Sequence, residues 1–168
     1  YDRGDTWNVI SPDLTTNDKK LRNTSNGGGL TNSNTGGENH FTIITISDTP
    51  IDTTIIWVGT DDGNVQVSRE GGKIWNEGSQ NIYGLPSDSY VSRVISSKKG
   101  RGTAYVTFDR HREGDWSPYV FRTDDYGQTW QDLSDDLPSG SINVILEHPD
   151  NANVLFLGTE HAVFISMN

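Results

Sequence analysis

Thr123-Asp124-Asp125-Tyr126-Gly127-Gln128-Thr129-Trp130 is one of three versions of a single phrase in this chain. The others are Asp2-Arg3-Gly4-Asp5-Thr6-Trp7 and Ser68-Arg69-Glu70-Gly71-Gly72-Lys73-Ile74-Trp75, and a fourth begins at Ser166-Met167-Asn168. Recurrence at a long period means that one supersecondary unit is being stacked. The chemistry of the phrase points to a tight turn. An acceptor at its third position (Asp2, Glu70, Asp125) can take backbone N–H groups, and the glycine two residues later (Gly4, Gly72, Gly127) permits positive φ. The indole that follows (Trp7, Trp75, Trp130) leaves the turn at the start of a strand, where it can bury a large area against the neighbouring unit.

Outward from the phrase, period-two alternation and turn residues predict twelve short strands. A lone strand spans residues 6–10. One set of four covers 41–46, 55–60, 65–68 and 73–76, and a second covers 90–96, 103–108, 119–123 and 129–133. A set of three closes the chain at 142–147, 154–159 and 163–166. The expected fold is all-β, with propeller blades of four antiparallel strands and about three blades' worth of chain in a single domain. Its parts are the lone outer strand 6–10, a polar insert over 15–38, a blade over 40–77, a blade over 90–133 and an incomplete blade over 141–168. With strands A to D running outward from the centre, each phrase forms a C-to-D turn. Rings need about four to eight blades, so three leave open edges that invite strand pairing. Two completions follow: the remaining blades of a longer chain, or a homodimer in which two copies close six blades.

The third phrase, with Thr123, Asp125, Gly127, Thr129 and Trp130, fully matches a Ser/Thr-x-Asp-x-Gly-x-Thr-Trp pattern. It resembles the Asp-box of the BNR-repeat β-propellers, a group that includes sialidases, sortilin-type receptors, xyloglucanase-type glycoside hydrolases and photosystem assembly factors. The second keeps Ser68, Gly72 and Trp75 but carries Glu70 for Asp and Ile74 for Thr. Stretches such as Ile56-Trp57-Val58-Gly59-Thr60-Asp61-Asp62-Gly63 and Leu155-Phe156-Leu157-Gly158-Thr159-Glu160 look like large bacterial exported, sortilin-like BNR-repeat proteins, often labelled glycosyl-hydrolase-like. The resemblance implies a periplasmic or extracellular protein that works as a protein-binding or carbohydrate-binding scaffold or accessory subunit. Its alternative is a glycoside hydrolase.

Composition narrows the partners. A net charge of -10 argues against nucleic acid, whose phosphates need neutralising cations, and suits a basic partner. The 168 residues hold no cysteine, which excludes disulfides and thiol–zinc sites. No apolar run approaches the about 18 residues of a spanning helix. The chain starts at Tyr1 and not at methionine, which leaves room for a removed leader.

Function is expected on the face opposite the phrase turns, where the D-to-A and B-to-C loops lie. Each B strand ends on an acid at one position, Asp61, Asp109 and Glu160. Together these would serve as general acid and base on a sugar or admit Ca2+ at the acidic turns. Singly, each would accept its own turn's N–H groups. The loop over 109–117 holds Arg110, His111, Arg112 and Trp116 as binding candidates, joined by His40 and His161. No metal-ligand spacing links the histidines, and no other cofactor is implied. Arg93, set amid Val91, Val94 and Ile95, either reaches an acid in the channel or keeps its head in water.

Overall fold

Valine, isoleucine and aromatic residues alternating with small polar ones favour half-buried strands. The computed structural model describes residues 4–18 and 41–167. Among these, eleven strands form three antiparallel sheets. The first is β1 (Ile43–Thr49), β2 (Asp52–Thr60), β3 (Val65–Ser68) and β4 (Trp75–Glu77). The second is β5 (Tyr90–Ser96), β6 (Ala104–Asp109), β7 (Tyr119–Thr123) and β8 (Gln131–Asp132), and the third is β9 (Ile142–Glu147), β10 (Val154–Thr159) and β11 (Val163–Met167). Each is a meander whose strand order follows the chain. The sheets stack face to face, β1 and β2 against β5, then β5 and β6 against β9. These are blades of a β-propeller.

Alternation decides what each face buries. Between the first two sheets lie Ile55, Trp57, Val65 and Val67 against Val91, Val94, Val106, Phe108 and Phe121. The opposite face of the second sheet turns Tyr105 and Val120 onto Ile142 and Ile145. Each large apolar side chain so buried stabilises by about 1.5–3 kcal/mol. The backbones approach closely at Gly59, where a Cβ would stand 2.4 Å from Val91 Cγ1. Hydroxyls stitch the inner strands together across sheets. Thr49 Oγ1 donates to the Ser97 carbonyl at 2.9 Å and Ser92 Oγ to that of Ile142 at 2.6 Å.

The third phrase forms the expected turn in full. Thr123 Oγ1 accepts the Gly127 N–H at 2.9 Å, while Asp125 accepts the Thr129 N–H at 2.8 Å and its hydroxyl at 2.6 Å. Two successive residues take positive φ, Tyr126 at 63° and Gly127 at 82°. In the second phrase Gly71 and Gly72 do the same, at 66° and 92°, and Ser68 Oγ holds the Gly72 N–H at 2.8 Å. Glu70 departs from expectation, since its carboxylate accepts no hydrogen bond among the described residues. Ile74, where the third phrase has Thr129, has no hydroxyl to offer it. Asp2 lies outside the described residues.

Two indoles reach back to the preceding unit. Trp130 Nε1 donates to the Gly78 carbonyl at 2.9 Å and its ring meets Trp57 edge-on, centroids 6.2 Å apart. Trp75 Nε1 donates to Gly72 O at 2.9 Å and more weakly to Ile10 O at 3.3 Å. The outer strands are shorter than expected, Trp75–Glu77 and Gln131–Asp132, because residues 73–74 and 128–129 still belong to the phrase turns. The first strand also shifts, to Ile43–Thr49, because the Asp61 carboxylate takes the N–H groups of Phe41 and Thr42 at its start.

The expected lone strand at 6–10 does not form. Residues 7–10 carry no ladder, because no described strand lies beside them to pair. Their extension instead leads along the first sheet, where Leu14 is buried and its carbonyl accepts Asn64 Nδ2 at 3.1 Å. Of the insert, residues 15–18 have no regular structure, and the remainder lies outside the described residues.

Candidate functional site

The two ends of the stack differ in what they carry. At one end the phrase turns meet the A-to-B turns, as where the Tyr126 N–H donates to Gly102 O at 3.0 Å. At the other end the B-to-C turns meet the long D-to-A loops, as where a Cβ on Gly63 would stand 3.0 Å from Ser89 O. This second end holds the candidate site.

The site is built on the loop that follows β6. Asp109 closes the strand, and its Oδ1 accepts the His111 N–H at 2.9 Å, shaping the short 3₁₀ turn His111–Glu113. Gly114, at φ 73°, reverses the chain. Asp109 Oδ2 also stands 2.6 Å from His111 Nδ1, which orients the ring and leaves its other nitrogen outward. The carboxylate is 11% exposed and the imidazole 41%. Burial pushes the Asp109 carboxyl up, but the Ser141 hydroxyl beside it and the His111 N–H and ring outweigh that, leaving it below the ordinary carboxylate value.

Arg110 ties this loop to its neighbour. It donates to Ser87 O at 2.8 Å and Ser89 Oγ at 3.0 Å, and its Nε lies 3.3 Å from Asp115 Oδ2. Asp115 also accepts the Ser117 N–H at 3.0 Å and the Tyr119 hydroxyl at 2.8 Å. The Ser117 N–H is the main reason its carboxyl sits below the usual range, and burial lifts the Tyr119 phenol above its own. On the other flank, the Trp116 carbonyl accepts the Gly140 N–H at 2.7 Å and Ser139 Oγ at 3.0 Å. The loop is therefore braced on both sides. The half-exposed Trp116 ring lies 6.1 Å from that of His111, and Arg112 lies over Tyr90 at 5.7 Å.

Strand register puts Asp61, Asp109 and Glu160 at one position, since Gly59, Thr107 and Gly158 pair with Thr45, Arg93 and Val144. Their bonding differs. Asp61 caps β1, Asp109 holds His111, and Glu160 has His161 Nε2 at 3.6 Å. Among the described residues no group of three or more His, Cys, Asp or Glu could hold a metal ion. His161 is almost wholly exposed, and His40 lies outside the described residues. Arg93 is exposed and makes no ion pair among the described residues.

Sequence reasoning missed two acids. Asp62, 5% exposed, accepts the Thr16 N–H and hydroxyl, both at 2.6 Å, and fastens the N-terminal segment to the first sheet. Glu147, 2% exposed, accepts Ser97 Oγ at 2.6 Å and the Lys98 N–H at 2.7 Å. The signal for Glu147 was present: it shares a strand face with buried Ile145.

No family model matches this chain, and no curated protein does. Solved structures do match in fold. YCF48 from Cyanidioschyzon merolae is similar with a TM-score of 0.55 at 22% identity, over 75% of this chain and 37% of that one. YCF48 bound to D1 peptide matches equally, at 0.55 and 22%, over 76% and 37%. An ancestral GH74 enzyme gives 0.58 at 16%, over 76% of this chain and 17% of its own. The chain thus spans about two fifths of the YCF48 chains and under a fifth of that enzyme. Among the described residues no helix is long and apolar enough to cross a membrane.

Proposed function

We propose that this chain is the Asp-box part of an exported, non-catalytic β-propeller, and that its loop end binds a polypeptide partner. One observation carries the reading: Asp109, Arg110 and Asp115 of the 109–117 loop are held by hydrogen bonds and an ion pair, leaving an oriented, partly exposed imidazole and the half-exposed Trp116 at the surface. Such a surface offers stacking and a directed hydrogen bond, and the chain's negative balance favours a basic or neutral segment. That YCF48, a similar fold, has been solved with a D1 peptide supports the choice of a polypeptide. The test is a peptide array probed with the chain, read against His111→Ala/Trp116→Ala. Saturable binding that falls at least about tenfold in the double variant is expected. Equal binding by both proteins would remove the loop from the reading.

A second reading, a glycoside hydrolase, draws on the similarity in fold to GH74 enzymes. A general acid in such chemistry needs a raised carboxyl pKa. Against its burial, Asp109 is held low by its hydrogen bonds, which does not suit it to that role. Hydrolysis of a soluble glucan panel that is lost in Asp109→Ala/Glu160→Ala would reverse the preference.

A further inference from the structure

Asp109 does more than orient His111, because it settles which ring nitrogen carries the proton. An ionised carboxylate can only accept hydrogen bonds. Asp109 Oδ1 takes the His111 N–H at 2.9 Å, and Oδ2 stands 2.6 Å from Nδ1. Nδ1 must therefore donate, and in the neutral ring Nε2 is left bare, an acceptor. Among the described residues nothing donates to it, and the imidazole is 41% exposed. The loop's own cations are turned elsewhere: Arg110 bonds to Ser87, Ser89 and Asp115, and Arg112 lies over the Tyr90 ring. Residues 109–117 hold three acids, Asp109, Glu113 and Asp115, against these two bases. With His111 neutral, the loop keeps an excess of negative charge. The His111 and Trp116 rings, 6.1 Å apart and 38° from parallel, lie side by side and do not stack. A cation hydrogen-bonded to Nε2 can therefore also sit within the about 6 Å of the indole centroid at which a ring face attracts it.

We propose that His111 and Trp116 together seat one cationic side chain, a lysine ammonium or an arginine guanidinium, which donates to Nε2 and lies against the indole. This rests on the reading of the loop end as a polypeptide-binding face, and it names the residue chemistry that the face selects. An apolar side chain would cover Nε2 and leave it without a donor. A carboxylate would meet the Nε2 lone pair and the charge of Asp109 behind it. A hydroxyl could donate, but it draws nothing from the loop's negative charge. Asp109 is a positioning residue here, acting through the imidazole. The seat belongs to the middle sheet, and its loop is braced by Ser87 and Ser89 on one flank and by Ser139 and Gly140 on the other.

The test is an NMR titration of the chain at about pH 8, where an ordinary histidine is neutral. The probes are terminally blocked Gly/Ser peptides that differ only in a central lysine, arginine, acetyl-lysine, leucine or glutamate. Lysine and arginine should bind at least about threefold more tightly than acetyl-lysine, which keeps an N–H but loses the charge. Trp116→Ala should weaken the lysine peptide about two- to fivefold, and Trp116→Phe should restore much of that. Asp109→Asn, whose amide no longer dictates the tautomer, should weaken it about two- to tenfold, with circular dichroism unchanged. The imidazole nitrogens of the parent, read in the same spectrometer without any peptide, should show Nδ1 protonated and Nε2 bare. A ring protonated on Nε2 would overturn the proposal. Equal binding of all the peptides, or a preference for leucine or glutamate that still depends on Trp116, would overturn the seat while leaving the polypeptide-binding reading in place. Binding of none of them would overturn it as well, and the peptide array then decides separately whether the loop end binds polypeptide at all.

Discussion

Glu147 offers the sharpest test of how the second and third blades hold together. Its carboxylate crosses from β9 to accept Ser97 Oγ at 2.6 Å and the Lys98 N–H at 2.7 Å. Burial pushes the neighbouring Tyr105 phenol up, against the Arg122 cation and with the help of the Glu147 charge. Glu147→Ala removes both acceptors. Hydrogen bonds to a charged group contribute about 1.5–3 kcal/mol each, and relief from desolvating the carboxylate returns several kcal/mol. The Ser97 hydroxyl, in a residue 1% exposed, is left without an acceptor, costing about 1–3 kcal/mol. We expect a net loss of about 3–4 kcal/mol, which at about 2–4 °C per kcal/mol for a chain of this size is a fall in Tm of roughly 10 °C. Glu147→Gln keeps one carbonyl acceptor and should lose only about 1–2 kcal/mol. Thermal melts at one fixed protein concentration, since association alone shifts Tm, give both values. A cycle with Ser97→Ala should show a coupling of about 1 kcal/mol. If Glu147→Ala costs no more than Glu147→Gln, or the coupling vanishes, the carboxylate is not the tie between these blades.

Three other expectations concern the turns and loops. Gly127→Ala should destabilise by more than about 1 kcal/mol, because φ is 82° and the new Cβ would press to 3.2 Å from Gly78 Cα; an unchanged denaturant midpoint would contradict the close approach. Restoring the second phrase with Glu70→Asp/Ile74→Thr should rebuild the clasp that Asp125 makes, raising stability by about 0.5–1 kcal/mol, whereas a loss would mean the second turn cannot accept the geometry of the third. Folded Asp109, Asp115 and Asp125 all have lowered carboxyl values. The unfolded chain therefore binds more protons as pH falls below about 4, so their contribution is present in full above that point and fades as pH drops through the lower folded values. Tm should hold between pH 7 and 5 and fall below 4, and a fall confined to the upper interval would assign the effect to the histidines.

How much of this was legible before folding varies by residue. The phrase exposed its turn because Asp125, Gly127 and Thr129 act within eight residues, and a local hydrogen-bond set leaves a local signature. Glu70 misled, because an acid of the right charge but longer reach cannot be told from Asp125 by type. The acids ending the B strands were found at their common position, but not their uses, since Asp61 bonds to Phe41 and Thr42 some twenty residues away. Of the loop, Arg110, His111 and Trp116 were visible as residue types, whereas Asp115 and Tyr119 entered only once the chain had folded back on Arg110.

By itself the sequence determined the blade: strand, turn and glycine follow from periodicity and from torsions that a few neighbouring atoms set. It also determined the phase, that the second and third phrases each sit between a third and a fourth strand. Tertiary structure alone decided which carbonyl each indole reaches, which acid is buried between blades and which sheet face stays open. Those outcomes depend on residues some fifty positions apart meeting across stacked sheets, as Trp130 does Gly78 and Glu147 does Ser97. No local pattern encodes the contact, because its energy exists only after the blades have packed.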